Sequence, residues 1–425
     1  MAAKVVIFQP GPLRGEVGVP GDKSISHRAL IAGACCNEPL RIARLNQGRD
    51  VLATREALTA LGARIEADGD GVVVHGGRLH SPPGALECMN SGSTARMLLG
   101  VCAGANVAAR FDGDESLRSR PMEPVAAQLR AFGARIETTG GRLPLAIAGT
   151  PEIETRRFIL LEPSAQVKSA LLFAGLFAGV SVDVTGDRGS RDHTERLLRY
   201  LAAEIEWNGR EIRLGEARPA SRPIEVAGDF SAAAFLITAA AVTPGSSIVV
   251  RDVGTNPTRT GLLDALLAMG AAVELRRPRT LCGEPVADVA VEWRPLRGTT
   301  VSEGVALRAV DEIPLIAAAG AFAAGATAIS GVAGLRAKES DRIAAIERLT
   351  AAVGVEASFE RGVLTVRGGR PAPTGAAIET QGDHRIAMTA AVLACGAGRI
   401  SADGEESLDV SFPGFRAALD GLQRG

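Results

Sequence analysis

A hidden repeat constrains this chain more than any other feature of it. The string LGARIE at 61–66 returns as FGARIE at 132–137, LAAEIE at 201–206 and MGAAVE at 269–274, with a looser VGVEA at 353–357. Within these strings Gly62, Gly133, Ala202, Gly270 and Gly354 lie 71, 69, 68 and 84 positions apart. Each string follows an amphipathic run and precedes a turn and a β-like segment, such as GVVVHG at 71–76 or GVLTVRG at 362–368. A second set of segments keeps the same beat: GDKSISHRALIAGA from 21, NSGSTARMLLGVCAGA from 90 and PSAQVKSALLFAGLFAG from 163. It continues with GDFSAAAFLITAAA from 228, DEIPLIAAAGAFAAG from 311 and GDHRIAMTAAVLACGAG from 382. Six copies in 425 residues is one per roughly 71.

A helix that is apolar on every side has to be buried by its neighbours. Each repeat therefore reads as a polar turn, a buried helix, a strand, an amphipathic helix and one or two further strands. Six such helices can pack in two groups of three, with sheets and amphipathic helices outside. With 50 Gly and only 4% aromatic residues, the core is built from Ala, Val, Leu and Ile on closely approaching backbones. An Ala-rich solenoid would share the period. Polarity argues against it, because every buried helix opens on groups that donate hydrogen bonds or carry positive charge, which suits an anion.

The charge balance, 47 Lys+Arg against 48 Asp+Glu, gives no reason to expect nucleic acid or an anionic membrane as a partner. Cys35, Cys36, Cys88, Cys102, Cys282 and Cys395 include no CxxC pair and read as buried thiols. The five histidines are scattered, so no metal site is expected. The stretches 230–250 and 313–335 carry no charge, but each is interrupted, at Pro244-Gly245 or Gly325, and turns β-branched. Both read as a buried helix, a turn and a buried strand rather than a membrane span. The start, MAAKVVIFQPGP, lacks a signal-peptide pattern, so the expected location is the cytoplasm.

The helix starts hold Lys23, Ser24, Arg28, Arg96, Ser164, Gln166, Lys168, Asp311 and Arg385, with Arg120, Arg336, Lys338, Glu339 and Arg342 in nearby polar strings. A charge at the mouth of an otherwise uncharged buried helix calls for an opposite partner. Arginine captures phosphate and carboxylate in a bidentate fork, and lysine can also move a proton. The implied ligand is small and multiply anionic, with both phosphate and carboxylate groups. Some of these residues also have plainer readings. Asp311 could cap its helix, Glu339 could pair with Arg342 at i,i+3, and His27 and His384 read as structural partners.

Seven motifs, PGDKSISHR (20–28), NSGSTAR (90–96), SRP (119–121), PSAQVKSA (163–170), AVDEIP (309–314), RAKESDR (336–342) and GDHRIAM (382–388), resemble the 5-enolpyruvylshikimate-3-phosphate synthase family across nearly the whole chain. The resemblance implies an α/β fold of the two-domain inside-out barrel type, built from six repeated units. One domain spans 20–225, mainly on the shikimate 3-phosphate side. The other combines 1–19 with 226–425, mainly on the phosphoenolpyruvate side. It further implies enolpyruvyl transfer from phosphoenolpyruvate to the 5-hydroxyl of shikimate 3-phosphate by addition and elimination, in a monomer, with no cofactor, metal or covalent enzyme intermediate.

By motif match, shikimate 3-phosphate falls to Lys23, Ser24, Arg28, Ser164, Ala165, Gln166, Ser190, Asp311 and Lys338. Phosphoenolpyruvate falls to Lys23, Asn90, Gly92, Arg120, Gln166, Arg342 and Arg385. Asp311, Glu339 and Lys23 carry the proton transfers. His193 stands where some members have a tyrosine and is expected to line the shikimate site. Val410 stands where some members have a lysine, so one phosphoenolpyruvate contact is lost or comes from elsewhere. Gly92 occupies a position where alanine obstructs the inhibitor glyphosate in some members. The related transferase acting on UDP-N-acetylglucosamine typically has a cysteine loop before an Arg-Pro, and GDESLRSRP at 113–121 has none. An RNA 3′-phosphate cyclase would call for a basic surface, against a net charge of −1.

Overall fold

The structure, a computed structural model, describes residues 5–150 and 152–425, so the first four residues of the N-terminal segment lie outside the described residues. All six small-residue segments form helices, numbered here α1 (Lys23–Cys35), α2 (Gly92–Gly104), α3 (Ala165–Ala178), α4 (Phe230–Val242), α5 (Ile313–Phe322) and α6 (His384–Ala397). Helix α4 is buried at every residue, which its lack of any polar face requires. The two uncharged stretches resolve into helix, turn and strand: α4 is followed by the strand Ser247–Gly254, and α5 by the strand Gly325–Ser330. No helix among the described residues is long and apolar enough to cross a membrane.

The chain folds as a mixed α/β protein in two compact units. The central unit takes Gly21–Ala227 and Thr280–Glu284; the flanking unit takes residues up to Pro20, Gly228–Arg279 and Pro285–Gly425. Thr280–Glu284, at the turn between the strands Ala272–Leu281 and Glu284–Glu292, belongs with the central unit, although it lies within the 226–425 range expected for the other domain. There Gly283 approaches the Arg196 carbonyl so closely that a Cβ on it would sit 2.8 Å away.

Among the described residues, the central unit contains three four-stranded sheets and the flanking unit two, together with a strand pair, Val6–Phe8 with Ile400–Ala402. The four-stranded sheets share one plan. In the sheet that accompanies α2, Leu86–Glu87 runs parallel to Ala109–Asp112, with α2 between them in sequence. The hairpin Ile136–Thr139 and Arg142–Ile147 then pairs antiparallel with that second strand.

The repeated string has a backbone cause. Gly62 (φ 106°), Gly133 (115°), Ala202 (58°), Gly270 (88°) and Gly354 (71°) all adopt the left-handed conformation as the chain leaves an amphipathic helix for the next strand. Glycine adopts it without a Cβ clash, and alanine at 202 does so at a cost of about 1 kcal/mol. The glycines inside the buried helices serve close approach. A Cβ on Gly100 or Gly104 would lie 2.1 Å from the carbonyl oxygen of Ala170 or Ala174, so α2 and α3 touch backbone to backbone.

Candidate active site

Five of the six buried helices are capped by a side chain at the start: Asp22, Ser91, Ser164, Asp229 and Asp383 each accept from a backbone N–H of the first turn. Helix α5 is the exception. Its cap position is Glu312, whose side chain makes no capping bond, and Asp311 lies one residue further out. The Asp311 carboxylate lies 3.6 Å from Arg342 and 3.7 Å from Arg385.

In the central unit, Arg28 is buried, and every arm of its guanidinium ends on a neutral oxygen. Nε donates to Thr194 Oγ1 (2.7 Å), Nη2 to Ser169 Oγ (2.9 Å) and Nη1 to the Ser24 carbonyl (2.8 Å). Burial draws its pKa down to about 10, which leaves it charged at neutral pH without a hydrogen-bonded carboxylate. Lys23, the first residue of α1, bonds to Asp50 at 2.9 Å and is partly open to solvent. Gln166 lies between two helix starts, accepting from Arg96 Nη1 (2.8 Å) and donating to Ser93 Oγ (3.0 Å). Arg120 donates to Asn90 Oδ1 and, at 3.1 Å, to Ser116 Oγ; Asn90 in turn donates to Asp114 (2.8 Å).

Gly92 opens α2 beside this group. A Cβ on it would stand 2.5 Å from Arg96 Nη1 and 3.7 Å from Arg120 Nη1. Asn90, Gly92, Arg96, Arg120 and Gln166 thus form one neighbourhood. Ser164 serves its own helix cap, with Ala165 as the first helical residue. Ser190 is buried, and its Oγ has no hydrogen-bond partner.

Two basic residues at or near helix starts turn out otherwise than the sequence suggested. Lys168 is fully buried between Asp187 Oδ2 and Glu195 Oε1, each 2.7 Å from Nζ. Burial alone would lower its pKa; the two carboxylates outweigh that and raise it. Its charge is consumed inside the fold. Arg336 bonds to Asp341 at the surface (3.0 Å) and stacks over Phe359. His27 is a structural partner, with Nδ1 2.7 Å from Thr54 Oγ1, and burial lowers its pKa to about 3. Cys282 alone among the six thiols is not fully buried.

The flanking unit gathers charge differently. Arg342 has no exposed side-chain surface, yet it meets three carboxylates: Asp383 at 2.9 Å, Glu339 at 2.6 Å and Asp311 at 3.6 Å. Burial opposes its charge, but Asp383, Glu339 and Asp311 prevail and raise its pKa. The buried Asp383 carboxyl is held below its usual range by Arg342. Arg385 approaches Asp311 and Glu312, each at 3.7 Å. Asp311 therefore sits between two arginines, beyond normal hydrogen-bond length from either and oriented by charge. Glu339 takes the i,i+3 pairing with Arg342. Lys338 follows a short 3₁₀ turn, Ala333–Ala337, and Val410 ends another, Glu405–Val410.

Sequence reasoning missed Glu312, Arg259, Ser231 and Asp383. Buried Arg259 donates to Ser231 Oγ (2.5 Å), which donates to Glu312, and these contacts join the starts of α4 and α5. Part of the signal was present: Ser231 is a polar residue in the opening turn of an otherwise apolar helix, whereas Arg259 is inconspicuous in the polar string GTNPTRTG at 254–261. Their partners, however, lie 28 and 81 positions away.

Buried helices whose starts collect arginine, lysine and carboxylate define an α/β protein made to handle small, multiply anionic molecules. The family model for EPSP synthase (3-phosphoshikimate 1-carboxyvinyltransferase) matches residues 7–419, and the chain belongs to that family of enzymes. It is similar to the 3-phosphoshikimate 1-carboxyvinyltransferase of an Anaeromyxobacter strain, 42% identical over 429 residues and 100% of each chain. That of Thermus thermophilus is 44% identical over 95% of each chain. Among solved structures, an EPSP synthase from Acinetobacter baumannii superposes with a TM-score of 0.86 at 36% identity, covering 99% of this chain and 98% of that one. The enolpyruvyl transferase NikO from Streptomyces tendae, at 19% identity and a TM-score of 0.73 over 99% and 98%, shares the fold.

Proposed function

We propose that this enzyme transfers the enolpyruvyl group of phosphoenolpyruvate to the 5-hydroxyl of shikimate 3-phosphate and releases phosphate, within the shikimate pathway to chorismate and the aromatic amino acids. Membership of the EPSP synthase family over residues 7–419 carries the reading. The arrangement of Asp311 between Arg342 and Arg385 supports its chemistry.

In the addition step Asp311 takes the proton of the 5-hydroxyl as its oxygen bonds to C2 of phosphoenolpyruvate, and an acid protonates the C3 methylene. Glu339 and Lys23 are the candidate acids. Elimination removes a proton from C3 and expels phosphate, restoring the enol double bond. The two flanking arginines orient Asp311 and oppose negative charge on the intermediate. Lys23, Ser24, Arg28, Ser164, Ala165, Gln166, Ser190, Asp311 and Lys338 are assigned to shikimate 3-phosphate. Lys23, Asn90, Gly92, Arg120, Gln166, Arg342 and Arg385 are assigned to phosphoenolpyruvate. Arg28 supports the first assignment: a buried cation held only by neutral oxygens is relieved by an anion.

The finer architecture follows the same reading: an inside-out α/β barrel of six units, acting as a cytoplasmic monomer. The test is phosphate release from phosphoenolpyruvate by the purified protein. Release is expected only when shikimate 3-phosphate is present; release driven by UDP-N-acetylglucosamine instead would overturn the proposal.

A further inference from the structure

Helix α5 differs from the other five buried helices in what stands at its start. Those five place an aspartate or serine there, and its short side chain turns back to accept from the backbone of its own helix. Glu312 is one methylene longer than aspartate and makes no capping bond. Its side chain is fully buried and reaches the starts of two other helices. It accepts from Ser231 Oγ in the first turn of α4, and its Oε1 lies 3.7 Å from Nη1 of Arg385 in the first turn of α6. A carboxylate buried this deeply is costly unless cations and donors are arranged around it.

The arrangement has a direction. Arg259 Nη2 donates to Ser231 Oγ at 2.5 Å and lies 4.0 Å from Glu312 Oε1. An ionised carboxylate only accepts, so the hydroxyl proton goes to Glu312, and the order of donors runs from Arg259 to Ser231 to Glu312. The other oxygen, Oε2, is buried without a hydrogen-bond partner. Arg385 is thus held by two consecutive residues. Its Nη1 donates to the Asp311 carbonyl at 3.5 Å and faces Glu312, while Nη2 lies 3.7 Å from Asp311 Oδ2. The two carboxylates differ in what the reaction asks of them. Asp311, as the base, takes up a proton in each turnover, and its attraction for Arg385 falls while it holds that proton. Glu312 has no part in the proton transfers, so its attraction is constant through the cycle.

We propose that Glu312 is a positioning residue for phosphoenolpyruvate: its buried carboxylate anchors the Arg385 guanidinium, and Ser231 and Arg259 anchor Glu312 in turn. The inference rests on the proposed function, in which Arg385 contacts phosphoenolpyruvate and Asp311 is the base. Without Glu312, Arg385 keeps a long bond to a backbone carbonyl and a carboxylate whose charge comes and goes. A guanidinium held that loosely presents no fixed fork to a substrate carboxylate or phosphate.

Glu312→Gln keeps the size of the side chain and an acceptor for Ser231 but removes the charge. In steady-state phosphate release at saturating shikimate 3-phosphate, it should raise the KM for phosphoenolpyruvate about tenfold and lower kcat about threefold. The Kd for shikimate 3-phosphate alone, from calorimetric titration of the full chain, should stay within about twofold of wild type. A double-mutant cycle separates positioning from general support of the fold. In an Arg385→Lys background, which has already lost the fork, Glu312→Gln should change the KM for phosphoenolpyruvate by less than about twofold. Ser231→Ala leaves the charge but frees the carboxylate, and it should raise that KM about threefold beside Arg385 and little beside lysine. It carries the test should Glu312→Gln not fold. An unchanged KM in the folded variant overturns the inference. So does an equal rise in the Kd for shikimate 3-phosphate, or the same rise in KM beside Arg385→Lys, since either marks a residue that only supports the fold. Arg385→Lys with a wild-type KM for phosphoenolpyruvate overturns the assignment of Arg385 instead. Wild-type protein that releases phosphate without shikimate 3-phosphate overturns the proposed function itself.

Discussion

The two units solve the same electrostatic problem in opposite ways. In the central unit, Arg28 is buried against Thr194, Ser169 and the Ser24 carbonyl, all neutral. In the flanking unit, Arg342 is buried against Asp383, Glu339 and Asp311. A guanidinium whose hydrogen bonds all go to neutral oxygens, with Glu195, Asp22 and Glu284 acting on it only at longer range, gains further when a ligand brings an anion into direct contact. One among carboxylates is already compensated, so it acts by holding those carboxylates in place. The difference separates the two arginines: Arg28 hydrogen-bonds no carboxylate that an incoming anion would have to displace, whereas Arg342 already holds Asp383, Glu339 and Asp311, and in the proposed assignment it meets phosphoenolpyruvate with those carboxylates in place.

The largest expected effect tests that second role. Asp311→Asn should lower kcat by about a hundred- to ten-thousandfold with the melting temperature retained, as measured by phosphate release. Near-normal turnover would remove the base from the flanking unit and with it the comparison.

The stability of the free protein gives the next test. Asp383→Asn takes a buried partner from Arg342 and should destabilise the fold by about 3 kcal/mol in denaturant titration. Arg28→Met should cost about 1 kcal/mol or less, because Thr194 and Ser169 still bond each other at 2.7 Å. The same variant should weaken shikimate 3-phosphate binding about a hundredfold. Equal destabilisation by both substitutions would break the contrast between an arginine bonded to carboxylates and one bonded to neutral oxygens.

Acid should loosen the central unit through His27. With a folded pKa of about 3 against an ordinary 6.5, the buried imidazole stays neutral while the unfolded chain takes up a proton. Stability is therefore complete above pH 6.5 and is lost as the pH falls from there toward 3, by at most about 1.4 kcal/mol per pH unit. His27→Asn, which keeps a partner for Thr54, should flatten the slope between about pH 6 and 4 by roughly 1 kcal/mol per unit. An unchanged slope would show that His27 takes up its proton without unfolding.

The smallest effect concerns the repeat. Ala202→Gly should stabilise by about 0.5–1 kcal/mol in the same titration, since Ala202 takes the left-handed conformation that its counterparts leave to glycine.

Much of the fold was legible because its signals are local. Five breaks, six small-residue helices and the strands after them depend on residues within a few positions of one another. The site was legible less evenly. Asn90, Gly92, Arg120 and Gln166 stand together as the motifs implied, and Asp311 stands with Arg342 and Arg385. Glu312, Arg259 and Asp383 were not legible, because a carboxylate or arginine near a motif has no visible purpose until its distant partner is placed.

Lys168 and Arg28 mark the boundary between the two kinds of knowledge. Both are basic residues in the opening turns of small-residue helices, and the pattern of the chain gives them equal standing. Which one retains its charge for a ligand depends on two adjacent residues of another helix. Thr194 accepts from Arg28 across 166 positions, while Glu195 neutralises Lys168 at 2.7 Å. Periodicity determines that a helix is buried and where it begins, because those are properties of neighbouring residues. Whether its cation is compensated is a sum over charges through space, and that sum exists only after the chain has folded.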